Sequence, residues 1–221
     1  MFKKDWPKYH AGWASVGLQT YESYIKTVSK VLAAEVRRIE REAKKVLKKM
    51  PNDEAKFDRE REYNDQIVEL KHSFPSMCYR TTFVAIYSRL EHELVSWCHK
   101  VQSIRSYKIA VDDLGGRNII DRCAVYLKKV ADVPFPNQTT EWRDIAKLQK
   151  IRNKIVHERG NIVKRGQPET EESKELRKFI KSKGALVSNS GNIALSDAFC
   201  LFAVDVIRRF IKQLADVTPD T

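Results

Sequence analysis

Glycine and proline are scarce in this chain, eight and seven among 221 residues, and neither occurs between Leu18 and Met50. That scarcity excludes collagen-like and low-complexity architectures and favours long helices. Cysteine is equally sparse. Cys78, Cys98, Cys123 and Cys200 stand far apart, without a Cys-x-x-Cys pair or a nearby pair of histidines, so no zinc-ligand spacing is present. Each falls in an apolar helical stretch, where a free thiol behaves as a small hydrophobe, and this usage fits a reducing cytoplasmic setting. No segment approaches the roughly 20 apolar residues a membrane span requires. The opening Met-Phe-Lys-Lys-Asp-Trp-Pro-Lys has no apolar run behind its lysines and is not read as a secretory signal. Gly-rich phosphate loops, a Gly-x-Ser-x-Gly elbow and a dinucleotide fingerprint are missing too, which argues against the enzyme classes built on them.

What the chain has in excess is positive charge: 41 Lys and Arg against 29 Asp and Glu, a formal net charge of +12. Such a surplus attracts polyanions, among them RNA, DNA and acidic proteins, although it also serves solubility. Arg37-Arg38, Lys44-Lys45 and Lys48-Lys49 form a basic face, either an RNA-docking surface or a solvated helix face. Trp6, Tyr9 and Trp13 are able to stack on bases or to pack the terminus onto the body.

Hydrophobic periodicity organises the rest. Tyr21, Ile25, Val28, Leu32, Val36, Ile39, Ala43, Val46 and Met50 recur at helical spacing, with Lys and Arg on the other faces, until Pro51-Asn52-Asp53 interrupts the pattern. Glu54 to His72 reads as a second, highly charged helix with Phe57, Ile67, Val68 and Leu70 as its apolar positions. The expectation is a helical hairpin or arm over residues 1–75, away from the core, and a helical bundle over residues 76–221. Beyond Phe74-Pro75-Ser76, the run Phe83, Ile86, Tyr87, Leu90, Leu94, Trp97, Cys98, Val101 and Ile104 is dense enough for a central bundle helix. Further helices are expected near Asn118–Val130, from Thr139 or Thr140 to about His157 with Gly160 as a left-handed stop, from about Glu171 to Lys183, and after Ser196. Ala185–Val187 and Ile193–Leu195 read as a short β-hairpin. The expected fold is therefore all-α.

One stretch carries chemistry: Arg152-Asn153-Lys154-Ile155-Val156-His157, close to the end of its helix. Asn153 and His157 are four apart and share a face, while Arg152 lies about 140° around from His157, a gap the long arginine stem is able to close. RNA cleavage by the neighbouring 2′-hydroxyl needs a base for its proton and a fixed cation for charge on the phosphorane. Neutral imidazole, with an ordinary pKa of about 6.5, suits the first task, and guanidinium suits the second. Asn153 is placed to orient His157 or to bind a phosphate oxygen, and Lys154 and Arg159 to neutralise phosphates along an RNA path. No metal or cofactor is required. His92 and His99 share a face but lack a third ligand, and His10 and His72 sit in polar surroundings expected to be solvated.

The run from Thr140-Glu141-Trp142 through Leu148-Gln149-Lys150-Ile151-Arg152-Asn153-Lys154-Ile155-Val156-His157-Glu158-Arg159-Gly160 resembles the signature helix of the HEPN superfamily, whose motif is Arg, four to six residues, then His, frequently with Asn after the Arg. Phe83-Val84-Ala85-Ile86-Tyr87-Ser88-Arg89-Leu90-Glu91 resembles the core helix that precedes it. The resemblance covers about residues 76 to 215. It implies a helical bundle that dimerises with two Arg/His motifs across one cleft, and metal-independent endoribonuclease activity in toxin–antitoxin or antiphage systems. Carried onto this chain, it makes Arg152 and His157 the catalytic pair, Asn153 their assistant and Glu91 a candidate polar partner. Some toxins of the family carry a Tyr two residues after the His, the target of their antitoxin; Arg159 stands there instead. The leading expectation is a cytoplasmic homodimer cutting RNA, with Lys44, Lys45, Lys48, Lys49, Lys154 and Arg159 contacting the substrate and an antitoxin or defence protein as a further partner. The alternatives are a non-catalytic HEPN module binding RNA, nucleotide or protein, and a helical interaction protein.

Overall fold

The computed structural model describes residues 5–116, 118–163 and 166–220. It is all-α apart from one small hairpin, in the order α1 (Trp6–Leu47), α2 (Glu54–Val68), α3 (Phe74–Arg105), α4 (Ile119–Lys129), α5 (Thr140–His157), α6 (Glu171–Ser182), β1 (Leu186–Val187), β2 (Ile193–Ala194) and α7 (Asp197–Val217). Short side chains start most of these helices. Asp53, Asn118, Thr139, Thr170 and Ser196 each accept a hydrogen bond from a backbone N–H three residues on, giving one orphan donor a partner. Of the two threonines expected to begin the motif helix, Thr139 is the cap.

α7 is the centre. Phe199, Ala203, Val204, Val206, Ile207, Phe210, Ile211 and Leu214 are buried on nearly every side of it, as an apolar helix requires. α1, α3 and α5 pack around it. Ser29 ties three of the four together, donating to Asp197 at 2.9 Å and sharing a 2.7 Å hydrogen bond with Tyr79.

Packing corrects the expected arm. Trp6, Ala14, Leu18 and Ile25 of α1 are buried in the main core, so the first half of that helix belongs to the bundle. Only the distal half projects, sharing a satellite core of Ile39, Ala43 and Tyr63 with α2. Tyr63, a polar-flanked aromatic, fills that core, whereas Phe57 and Val68 are exposed. The opposite face of α1 is not uniformly basic either, because Trp13, Val16, Tyr24 and Val31 are exposed along it. Nor does the chain break at Phe74-Pro75-Ser76. A π-helical turn over Glu69–Ser73 joins α2 to α3, with Phe74 N–H bonded to Glu69 O. That wider turn takes in Pro75, which has no N–H to offer and whose ring would clash in a regular helix.

His10, expected to be solvated, is held against the bundle. Its ring meets Trp97 edge-on at 4.9 Å, and Nε2 lies 2.8 Å from Glu93 Oε2. Glu93 is buried, and its other oxygen lies 2.5 Å from Arg89 Nη2. Gly17 makes room for this guanidinium, since a Cβ there would come within 3.0 Å of Arg89 Nη2. A buried carboxylate between His10 and Arg89 thus fastens α1 to α3.

Burial raises the Glu93 pKa, but the His10 hydrogen bond and the Arg89 charge outweigh it, so the carboxyl titrates below its usual range. A depressed folded pKa contributes stability that is full above the unfolded value and is lost as pH falls through the folded one. Glu93→Gln should therefore lower stability by about 2 kcal/mol near neutral pH, less than for a fully buried pair because Arg89 keeps some water. Thermal melts of variant and wild type should converge as pH falls through the depressed range of this carboxyl; coincident melts at neutral pH would contradict the assignment.

Candidate functional site

The motif lies on the last two turns of α5, which Ile145, Leu148 and Ile151 anchor in the core. Arg152 follows that anchor and turns towards α3. Its Nη2 lies 3.7 Å from Glu91 Oε2, its Nη1 donates to Asn153 Oδ1 at 3.2 Å, and its Nε is buried with no partner. Glu91 keeps 15% of its side chain exposed and Arg152 keeps 25%. Burial pushes the Glu91 carboxyl above its ordinary range, and the charge of Arg152 only partly offsets this.

Tyr87, one helical turn before Glu91, completes the cluster. Its side chain is 1% exposed and its hydroxyl has no hydrogen-bond partner. Burial raises the phenol pKa, the Glu91 charge adds to this and the Arg152 charge opposes it. The wall between α3 and α5 therefore holds a cation, a carboxylate and a phenol in a poorly solvated layer. In such a layer charge interactions are stronger than in water. Sequence reasoning assigned Tyr87 to the core and missed its polar end; the i, i+4 spacing to Glu91 was the available signal.

His157, in contrast, is exposed and has no hydrogen bond or ion pair among the described residues. The arginine stem that was expected to reach it turns instead to Glu91, a carboxyl group on α3. Within one chain the structure brings Arg152, Asn153 and Glu91 together and leaves His157 outside their network. Lys154 lies between these groups but is engaged, donating to both Glu158 oxygens at 3.0 and 2.8 Å. Arg159 is exposed at a left-handed corner (φ 53°). Lys44 and Lys45 are exposed on the last turn of α1 and Lys48 and Lys49 in the turn after it, beside the satellite core, while the motif helix sits on the main one.

The chain just after the motif is clamped. Gly160 (φ 80°) closes the helix, its N–H bonded to Lys154 O at 2.8 Å. Its C=O then accepts from Ile193 N–H at 2.8 Å, and Ile162 N–H donates to Gly191 O at 2.9 Å, so residues 160–162 run along the β1–β2 hairpin. Arg80 of α3 locks the junction, donating to Ile193 O from Nε at 2.9 Å and to Asn192 Oδ1 from Nη2 at 2.5 Å. A Cβ on Gly160 would stand 3.0 Å from Arg80 Cζ. Gly160 thus serves both as a left-handed stop and as a close approach to Arg80.

Among the described residues no group of three or more His, Cys, Asp or Glu side chains converges. His99 pairs with Asp112 at 3.1 Å. Comparison of the chain with protein-family models, with curated proteins and with solved structures found no match.

Two substitutions separate the parts of this site. Tyr87→Phe removes a hydroxyl that bonds to nothing, so its melting point should equal or exceed that of wild type; a loss of more than about 1 kcal/mol would reveal a partner for the hydroxyl. Gly160→Ala meets a disfavoured φ and the Arg80 guanidinium together, and should cost about 1–3 kcal/mol. Hydrogen exchange should then quicken at Gly160 and Ile193.

Proposed function

We propose that the chain is a metal-independent endoribonuclease of the HEPN type, working as a homodimer in the cytoplasm in a toxin–antitoxin or antiphage setting. The observation that carries the reading is the placement of Arg152. A partly exposed guanidinium is held at the rim of the core by Glu91 and Asn153, and an unengaged imidazole, His157, follows at the end of the same helix. Both sit in a chain of net charge +12.

In this reading His157 takes the proton of a ribose 2′-hydroxyl as its oxygen attacks the adjacent phosphorus. Arg152 carries the charge that builds on the phosphorane oxygens. The bond to the 5′-oxygen breaks, that oxygen takes a proton from water, and a 2′,3′-cyclic phosphate remains. DNA lacks the attacking hydroxyl and survives. Because Arg152 and His157 of one chain share no contact, a second copy is needed to set a His beside an Arg, so the centre belongs at a two-fold axis. Arg159 occupies the position where some toxins of this type carry a modifiable Tyr, which leaves that route of neutralisation without its acceptor. Lys44, Lys45, Lys48, Lys49 and Arg159, exposed and without ion pairs among the described residues, are the groups offered to RNA phosphates. Lys154 contributes only if RNA displaces Glu158.

A second reading is a module that binds RNA, nucleotide or protein without cutting. The Arg152–Glu91 pair favours it, since that cation already has a counter-charge. Incubating the purified chain with RNA in EDTA decides between them. Wild type should cut, and Arg152→Ala and His157→Ala should each slow cutting by about 10²–10⁴-fold. Intact RNA throughout, or variants as fast as wild type, would end the catalytic reading. Tight binding without cleavage, weakened by neutralising Lys44, Lys45, Lys48 and Lys49, would establish the second.

A further inference from the structure

A cleft of about 330 Å³ opens between the C-terminal half of α5 and the start of α6. Its floor is apolar, made by Ile162, Val163 and Leu176, and Asn153 and Lys154 of the motif helix form one wall. On a helix wheel Lys150, Asn153 and Lys154 span about 100°, and His157 falls inside that arc, one turn further along. Arg152 lies outside it, on the side of Glu91. The cleft therefore borders the His157 face of α5, while the Arg152–Glu91–Tyr87 cluster borders another.

Among the described residues, the two lysines that line the cleft are engaged. Lys150 meets Glu172 at 2.5 Å and Lys154 meets Glu158 at 2.8 Å, so neither lysine is offered to a phosphate. What remains unengaged is suited to a planar polar edge. Glu172 uses only Oε1 on Lys150, leaving the other oxygen as an acceptor. Asn153 turns Oδ1 to Arg152, leaving its amide N–H groups as donors. An apolar floor rimmed by a few donors and acceptors, at the small end of ligand-site volumes, suits one flat heterocycle.

We propose that this cleft receives a single unstacked nucleobase of the RNA strand, the base adjacent to the phosphate on which Arg152 and His157 act. The proposal rests on the ribonuclease reading above and adds the element that selects the cutting position. Single-stranded RNA is commonly read in this way, by splaying a base out and bonding its edge. Asn153 is then a positioning residue shared by both functions: its oxygen steadies Arg152 and its nitrogen meets the base.

The test is a set of single-stranded oligonucleotides in which one abasic site is walked along the sequence, assayed for cleavage and, by fluorescence anisotropy, for binding. Loss of the base next to the cut should raise KM about tenfold with little change in kcat, the size of one base-edge interaction. Ser173→Trp, which fills the cleft, should raise KM on intact RNA by a similar factor and make the abasic site harmless. Glu172→Gln keeps the shape and should change the order of preference among bases, which guards against a merely unfolded variant. Cleavage that ignores both the abasic site and the two variants overturns the pocket and leaves the ribonuclease standing. Binding that senses them without any cleavage keeps the pocket and removes the ribonuclease. RNA neither bound nor cut overturns both.

Discussion

Arg80 is the group on which the geometry of the candidate site depends. Among the described residues its guanidinium bonds to neutral acceptors, the carbonyl of Ile193 and the side chain of Asn192, and burial lowers its pKa from the ordinary arginine value. A partly desolvated cation without a carboxylate is costly, and it is tolerated here because it joins three elements at once. α3 supplies it, the hairpin accepts its protons, and the chain leaving α5 passes over it at Gly160, the residue whose lack of a Cβ permits the approach. Helix ends ordinarily fray. This one is pinned one turn beyond His157, so the imidazole is exposed on a fixed backbone.

Two carboxylates on α3, two residues apart, show how burial and partners set opposite tendencies. Glu93 faces α1, lies between His10 and Arg89, and is held ionised. Glu91 faces α5, has Arg152 at the longer distance of 3.7 Å, and is pushed towards its neutral form by burial. The first is a structural fastener. The second is a weaker hold on a cation that has other work in the proposed chemistry, since an arginine locked tightly to a carboxylate would have little charge to lend a phosphorane. The buried, unbonded Tyr87 hydroxyl and Arg152 Nε lie in the same layer and leave it polar but incompletely paired.

Local patterns made most of the helices legible, because helix periodicity, caps and stops act within a few residues. Thr139, Gly160 and Ser196 acted as their residue types suggest, and so did the hairpin around Ser188–Asn192. What escaped depended on partners distant in sequence. The first half of α1 reads like the charged second half, yet α7 draws it into the core across some 180 residues. His10 looked solvated until Glu93 and Trp97 surrounded it. Pro75 looked like a boundary because a π turn has no clear local signature. At the site, Arg152 and Asn153 stand out by type and spacing, and Glu91 only through the resemblance of its helix to the HEPN core helix; Tyr87 and Arg80 stand out by neither, since each gains its place from contacts between elements. The expected closure of Arg152 onto His157 failed for the same reason, a competing carboxylate on another helix.

The central claim is chemical: RNA is cut by its own 2′-hydroxyl, with an imidazole and a guanidinium and without a metal. The chemistry of the new ends tests it most directly. Mass spectrometry of fragments made by the full chain in EDTA should find a 2′,3′-cyclic phosphate on one side of each cut and a 5′-hydroxyl on the other, with a single 2′-deoxy substitution at the cut site blocking it. Fragments ending in 3′-hydroxyl and 5′-phosphate, or cutting that persists through the deoxy substitution, would contradict the account.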